Sequence, residues 1–177
     1  MKLIILDRDG VINHDSAQFV KSPEEWRPIA GSLEAIARLT QAGYRVVIAT
    51  NQSGIGRGLF DMATLNAINS KMSKAVAQAG GRIEAIFYCP DTAESSSPFR
   101  KPAPGMLLEI SERFNTPLKD VPTVGDSLRD LQAAQAVDAR PILVLTGKGK
   151  ATQTAGGLPD GTRVFENLAA VARELAG

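Results

Sequence analysis

Apolar residues in this chain fall into short runs of strand length that alternate with longer stretches of helical periodicity. This alternation is typical of a sheet whose strands are joined by helices. Several runs lack the polar alternation of a half-exposed strand, so we expect helices on both faces of the sheet. The pattern predicts an α/β fold with a doubly wound, mainly parallel, Rossmann-like sheet. Its predicted strands are 2–6, 44–49, 82–88, 121–124 and 141–145.

Capping residues and glycines mark where the helices between these strands begin and end. Asp61 is suited to cap the longest helix, Gly43 to stop the first one, and Pro104 to stand in a first turn. We expect the C-terminal helix to pack on the sheet edge, and the aperiodic stretches 91–103 and 146–161 to be surface loops. The predicted helices are 33–42, 62–79, 104–114, 127–137 and 166–176.

Length and composition favour a single domain, 1–177, since no repeat or low-complexity linker divides the chain. A net charge of +1 gives no field that would draw the protein to nucleic acid or an acidic membrane, so a small-molecule partner is favoured. The single cysteine, Cys89, suits a reducing compartment, and the N-terminal apolar run is too short for a signal peptide or a membrane span. We expect a cytoplasmic protein, and a monomer.

Two acids, Asp7 and Asp9, follow the first predicted strand. In an open parallel sheet, ligands bind at the carboxyl ends of the strands. Two carboxylates one residue apart can face the same cleft, and a cation or a proton has to offset their repulsion. Such a pair alone is more often a solvated turn, but at a strand end it favours a metal site.

Polar residues also follow the other predicted strands. Hydroxyl and amide groups after the second strand are suited to bind phosphate oxygens, and the loop after the third strand returns with two adjacent cations. Each has an ordinary explanation by itself; the acid after the fourth strand, for example, is a common helix N-cap. Their placement at neighbouring strand ends favours one site. These residues are Thr50, Asn51, Gln52, Ser53, Arg100, Lys101 and Asp126.

Four segments carry a resemblance to a known family. LDRDGVIN, ATNQSGIGRG, FRKPAPGM and VGDSLRDLQAA resemble the four motifs of the haloacid-dehalogenase-like phosphohydrolases. The first three also resemble a narrower group, the D,D-heptose 1,7-bisphosphate phosphatases and the related histidinol-phosphate phosphatases. The resemblance extends over almost the whole chain.

The resemblance implies a catalytic role for both acids of the first motif. Asp7 would be the nucleophile that becomes an aspartyl phosphate, and Asp9 the general acid and base. Mg²⁺ would be bound by the carboxylates of Asp7 and Asp126 and by the backbone carbonyl of Asp9, an oxygen-rich shell that this ion prefers.

The resemblance also implies how the substrate is held. Thr50 and Lys101 would bind the transferring phosphoryl oxygens, and Asn51 would help to orient them or the substrate. Arg100 would bind a second phosphate or sugar hydroxyls. Many relatives insert a cap domain, but the segments after the first two motifs are too short for one here. Loops would therefore roof the site, and Asp15, Gln18, Gln52 and Ser53 are further candidates for substrate contact.

One loop departs from the family pattern. Relatives commonly carry four zinc ligands before the third motif, whereas this chain has Cys89, Asp91, Ser97 and Phe99 at those positions. One thiolate and one carboxylate do not make a tetrahedral structural site, so we predict no zinc. Cys89 would then be a buried structural thiol, and the lone histidine, His14, a loop residue or substrate contact.

The function that the resemblance implies is Mg²⁺-dependent hydrolysis of the C7 phosphate of D-glycero-D-manno-heptose 1,7-bisphosphate, in lipopolysaccharide precursor synthesis. Histidinol phosphate and other small phosphoesters are alternative substrates. A receiver-like phosphoacceptor domain is the alternative outside enzymes, although its acceptor Asp would have to follow strand three, where this chain has Tyr88 and Cys89. A dinucleotide-binding module is disfavoured, since Gly54, Gly56 and Gly58 do not have the GxGxxG spacing.

Overall fold

The computed structural model describes residues 2–177 and places six strands in one parallel sheet of order β3-β2-β1-β4-β5-β6. The predicted α/β class is confirmed, and the five predicted strands are observed within two residues of their expected ends. A sixth strand at the edge was not predicted, because its three residues are too few to show a pattern. The strands are β1 Lys2–Leu6, β2 Tyr44–Asn51, β3 Ile83–Cys89, β4 Pro122–Gly125, β5 Arg140–Val144 and β6 Arg163–Phe165.

Seven α-helices lie among the described residues, and none of these is long and apolar enough to cross a membrane. The helix at 149–155 lies inside a stretch predicted as a loop; that prediction was wrong because the segment has no apolar periodicity. The helices are α1 Ser32–Gln41, α2 Ser53–Gly56, α3 Met62–Gln78, α4 Gly105–Phe114, α5 Leu128–Ala136, α6 Gly149–Ala155 and α7 Leu168–Ala176, with 3₁₀ turns at Pro23–Glu25 and Ala93–Ser95.

Polar side chains set two of the helix starts. Asp61 Oδ1 accepts a hydrogen bond from the backbone N–H of Thr64 (2.9 Å), as predicted for the cap of α3. Asn167 caps α7 in the same way through Ala170. Pro104 stands one residue before α4 rather than in its first turn.

Alternate residues of the central strand enter two separate apolar layers. Ile4 and Leu6 pack on the side of α1, α3 and α7, whereas Leu3 and Ile5 pack on the side of α4 and α5. β1 is therefore covered on both faces, which explains its unbroken apolar sequence. We expected α7 to pack on the edge of the sheet. It does touch the edge strand β6, but it also packs on α1 within the first layer, so the prediction is met only in part.

The strand order positions the functional residues. β1 lies between β2 and β4, so the chain winds away from β1 in both directions and leaves a crevice at the carboxyl ends of β1 and β4. A receiver-like domain would have the order 2-1-3-4-5 instead. The receiver alternative is therefore wrong for this fold.

One lysine joins α3 to the loop that precedes α1. Lys71 Nζ donates to the carbonyl oxygens of Pro23 (2.6 Å) and Trp26 (3.0 Å) and lies 5.8 Å from the centre of the buried Trp26 ring. Lys71→Met should lower the free energy of unfolding by about 1–2 kcal/mol, since it removes both bonds and the cation–π contact. Urea titration measures the change. Lys74→Met, an exposed position on the same helix, is the control; an equal loss in the two variants would contradict this role.

Candidate active site

Residues at or after the carboxyl ends of five strands line one cleft of about 230 Å³. The loops after β1, β2 and β4 contribute to it, as do the loop before α4 and the turn before α6. All predicted site residues lie in its walls except Gln18, so the structure brings together what the sequence scatters over more than a hundred positions.

Asp7 lies directly after β1, where a bond from its backbone N–H to Val124 (2.9 Å) continues the pairing with β4. Its Oδ1 accepts the backbone N–H of Arg8 (2.9 Å) and forms an ion pair with Lys101 Nζ (3.3 Å). Burial and then the charge of Asp130 raise the pKa of Asp7 to about 8, although Lys101 opposes this. The carboxylate form is therefore costly until another cation arrives.

Asp9 has more hydrogen-bond donors around it. Its Oδ1 accepts from Arg8 Nε (2.8 Å) and Asn13 Nδ2 (2.9 Å), and its Oδ2 from Gln52 Nε2 (3.3 Å). Burial acts to raise the pKa of Asp9, but the Arg8 guanidinium and these hydrogen bonds outweigh it and lower the pKa. The surroundings of the two acids of the first motif thus shift their pKa values in opposite directions, upward for Asp7 and downward for Asp9.

Lys101 is buried (4% exposed) among three oxygen acceptors. Its Nζ donates to the carbonyl of Ala49 (2.7 Å) and pairs with Asp130 Oδ1 (2.7 Å) as well as Asp7. Burial acts to lower the pKa of Lys101, but the charges of Asp130 and Asp7 raise it. Asp130 was not predicted as a site residue. The sequence feature that could have indicated it is its spacing of four from Asp126, which puts it on the first turn of α5.

The segment after β2 holds the loop of the third motif. The Asn51 side chain donates to the Lys101 carbonyl (3.1 Å) and accepts from the Lys101 backbone N–H (3.1 Å), so it fixes the backbone of that lysine. Gln52 Nε2 donates to Thr50 Oγ1 (3.0 Å) besides contacting Asp9. The amides of Asn51 and Gln52 therefore hold other residues of the cleft in place. From the sequence we could not distinguish this role from direct contact with a substrate.

Three carboxylates converge at the switch point of the sheet. Oxygens of Asp7, Asp126 and Asp130 lie within 4.8 Å of one another. Asp130 makes the shorter ion pair with Lys101 (2.7 Å, against 3.3 Å for Asp7), so Asp7 and Asp126 are better suited to hold a cation. Burial and the charge of Asp130 raise the pKa of Asp126 to about 6. Two buried carboxylates in need of positive charge fit the oxygen donors that Mg²⁺ prefers.

Arginines form a second cationic region of the cleft. Arg57, Arg100 and Arg129 all line it, and Arg100 Nη1 donates to the Asp91 carbonyl (3.1 Å). Burial and then the charge of Arg129 lower the pKa of Arg100, and the charge of Arg57 acts in the same direction. Arg57 and Arg129 were not predicted, because a surface arginine in a loop or on a helix has no distinguishing pattern. Only the fold brings them to one wall.

Comparisons with known proteins agree with this geometry. Residues 98–171 match the family described as HAD-hydrolase-like. The D-glycero-β-D-manno-heptose-1,7-bisphosphate 7-phosphatase of Bordetella bronchiseptica is 61% identical, covering 99% of this chain and 98% of the relative. The enzyme of that name from Neisseria meningitidis serogroup A is 55% identical, covering 95% and 91%. The chain belongs to the heptose-1,7-bisphosphate 7-phosphatase family. The crystal structure of D,D-heptose 1,7-bisphosphate phosphatase from B. bronchiseptica, complexed with magnesium and phosphate, has a TM-score of 0.98 at 61% identity and covers 99% of this chain and 98% of its own.

We expected Gln18 to contact the substrate from a loop that roofs the site, but it does not line the cleft. Gln18 is exposed and lies in a neighbouring groove that also contains His14. Asp15 borders both the groove and the cleft, and its Oδ2 lies 3.5 Å from Lys148 Nζ, a residue that the sequence did not single out. The Asp15–Lys148 pair therefore closes one side of the cleft mouth.

The family's zinc-ligand positions form a small polar cluster here. The buried Cys89 Sγ lies 3.7 Å from Asp91 Oδ2 and 3.8 Å from Ser97 Oγ. Phe99, at the fourth position, is 40% exposed. Its ring offers no ligand atom. The absence of zinc stays a prediction.

The raised pKa of Asp7 predicts how stability varies with pH. The folded chain keeps the Asp7 proton up to about 8, whereas the unfolded chain loses it near the ordinary value of 3.8. The metal-free protein should therefore lose stability as pH rises between these values. Asp7→Asn removes the contribution of Asp7 to this dependence, so its melting temperature should exceed that of the wild type by several degrees at pH 8 and by less at pH 5.

Thermal melts in a chelator across this pH range test the expectation. Asp160→Asn, at an exposed aspartate outside the cleft, is the matched control and should show no such trend. Saturating Mg²⁺ should abolish the advantage of Asp7→Asn, since the cation favours the ionised carboxylate. A stability difference that stays constant between pH 5 and 8 would contradict the assignment.

Proposed function

We propose that this chain hydrolyses the C7 phosphate of D-glycero-β-D-manno-heptose 1,7-bisphosphate, with Mg²⁺ and through an aspartyl phosphate. The observation that carries the proposal is a relative of that name that is 61% identical over 99% of the chain. The cleft supports it, because nucleophile, acid, cation and metal-binding carboxylates share one wall.

The carboxylates of Asp7 and Asp126, together with the Asp9 carbonyl, would hold the magnesium ion. When bound, Mg²⁺ supplies positive charge for the phosphoryl oxygens and for the buried carboxylates. The B. bronchiseptica structure, complexed with magnesium and phosphate, supports this assignment.

In the first step, an Asp7 carboxylate oxygen attacks phosphorus while the bond to the C7 oxygen of the sugar breaks. The backbone N–H of Arg8 holds Asp7 through its Oδ1, so the nucleophile enters this step already oriented. Asp9 gives its proton to the departing sugar oxygen. The products are the heptose 1-phosphate alcohol, an ionised Asp9 and an acyl phosphate on Asp7.

In the second step, the Asp9 carboxylate takes a proton from water, whose oxygen attacks phosphorus. The bond from phosphorus to Asp7 breaks, which releases inorganic phosphate and restores both acids. Arg8, Asn13 and Gln52 keep Asp9 ionised and oriented for this proton transfer. Thr50 and Lys101 bind the phosphoryl oxygens as their charge changes.

The three cleft arginines are our candidates for binding the second phosphate of the substrate. Arg100 is held by the Asp91 carbonyl, and the Arg57 guanidinium lies 6.0 Å from the centre of the Phe19 ring. Guanidinium groups suit a phosphate dianion because they donate two parallel hydrogen bonds. A monophosphate such as histidinol phosphate would leave this cationic wall without a partner.

We further propose that the chain is a single capless domain that acts as a cytoplasmic monomer in lipopolysaccharide precursor synthesis. Segments 7–31 and 52–61 carry only a 3₁₀ turn and the four-residue α2, which supports loops as the roof. The net charge of +1 supports a small-molecule substrate rather than nucleic acid or a membrane surface.

A phosphate-release screen with Mg²⁺ tests the function. We expect the highest kcat/KM with the β anomer of the heptose bisphosphate, repeated turnover, and loss of the C7 phosphate by phosphorus NMR. Histidinol phosphate and other sugar phosphates should be poorer substrates. Asp7→Asn should reduce kcat by at least about a thousandfold, because no acyl phosphate can form. Preference for histidinol phosphate would overturn the substrate, and an active Asp7→Asn would overturn the mechanism.

Substitution of the unpredicted arginines tests the second-phosphate site. Arg57→Gln and Arg129→Gln should each raise KM for the bisphosphate by about tenfold, since each loses a charged hydrogen bond to phosphate. KM for a monophosphate should change little, and kcat should be retained. Arg113→Gln is the matched control, because Arg113 lies over the Phe87 ring at 5.7 Å but outside the cleft. An equal rise in KM for both kinds of substrate would contradict the assignment.

A further inference from the structure

The turn between β5 and α6 holds the carboxylate of Asp126 from outside the four family motifs. The backbone N–H of Lys148 donates to Asp126 Oδ2 (2.9 Å). The hydroxyl of Thr152, on α6, donates to the Asp126 main-chain carbonyl (2.7 Å). Two groups from one short segment thus bind both the side chain and the backbone of this residue.

The same segment also binds the loop that carries Asp7 and Asp9. Thr146 Oγ1 donates to the carbonyl of Gly10 (2.7 Å), the residue after Asp9. Gly10 and Gly147 both have positive φ (84° and 56°), and a Cβ on either would collide with Asp126 Oδ2. Two glycines are therefore required where the first-motif loop, the Asp126 carboxylate and this turn meet.

We propose that Thr146 and Thr152 are positioning residues that set the distance between the two halves of the magnesium site. Asp7 and Asp9 lie in one loop and Asp126 in another, and 146–152 is hydrogen-bonded to both. Residues behind the ligands of a metal fix ligand orientation and affinity in this way. Neither threonine needs to touch the ion or the substrate. The inference rests on the proposed role of Asp126 as a magnesium ligand.

Magnesium titration in the absence of substrate tests the proposal. Thr152→Val and Thr146→Val keep the shape of the side chain but remove the hydroxyl, and we expect each to weaken Mg²⁺ binding by about three- to tenfold in calorimetry. The Mg²⁺-induced rise in melting temperature should shrink in parallel. Thr152→Ser and Thr146→Ser should restore both, since the donor returns. At saturating Mg²⁺, KM for the substrate should stay near the wild-type value.

Controls separate this inference from the proposed function. Thr162→Val removes a similar hydroxyl bond, to Pro159 (2.7 Å), away from the cleft, and should leave Mg²⁺ affinity unchanged. Asp126→Asn should lose Mg²⁺ binding; if it does not, the metal assignment itself is wrong. If Asp126→Asn loses binding while both valine variants stay within about twofold of the wild type, the positioning role alone is overturned. Thr152→Ala and Thr146→Ala, which create no new contact, replace any valine variant that does not fold.

Discussion

The ion pairs of Lys101 are the interaction on which this site depends. An ammonium group has three donors, and the Lys101 group has three partners: Ala49 O, Asp130 Oδ1 and Asp7 Oδ1. The Asp7 contact is the longest of the three at 3.3 Å. A phosphoryl oxygen would most easily replace that contact, because the other two are 2.7 Å long. Asp130 and Ala49 therefore hold Lys101 in place, and Asp7 is the partner that it can exchange.

Charge balance then explains why the site needs a metal. Lys101 offsets one negative charge of the buried group that also contains Asp7, Asp126 and Asp130. Burial and then the remaining negative charge raise the pKa of both Asp7 and Asp126, and a divalent cation between them would favour the ionised carboxylates. The same buried acids, which are suited to bind a metal, thus make the metal-free fold less stable, a cost that proteins commonly concentrate at functional sites.

The sequence predicted the strands well and brought the candidate site residues together, for a physical reason. Apolar runs bounded by polar residues report burial on both faces, and the carboxyl ends of parallel strands must share an edge, so Asp7, Asp9 and Asp126 could be assigned together. Residues whose role comes from tertiary contact were missed: Asp130 as the partner of Lys101, Arg57 and Arg129 in the cleft, and the two threonines that contact the backbone of Gly10 and Asp126. No local pattern distinguishes Thr152, whose partner lies 26 positions away, from an exposed helix threonine.

The environment of Asp9 constrains the order of proton transfers. Arg8 and two amides lower its pKa, so Asp9 is a carboxylate before substrate arrives, although the first step requires an acid. The dianionic phosphate of a bound substrate changes this balance, since a nearby negative charge raises the pKa of a carboxyl group. Asp9 would then take up a proton as the substrate binds and lose it to the leaving sugar oxygen. With the sugar gone, the donors around Asp9 again favour the ionised form, which is the base that the second step requires. One carboxyl group can therefore serve both steps because the substrate, and not the protein, supplies the charge that changes its protonation.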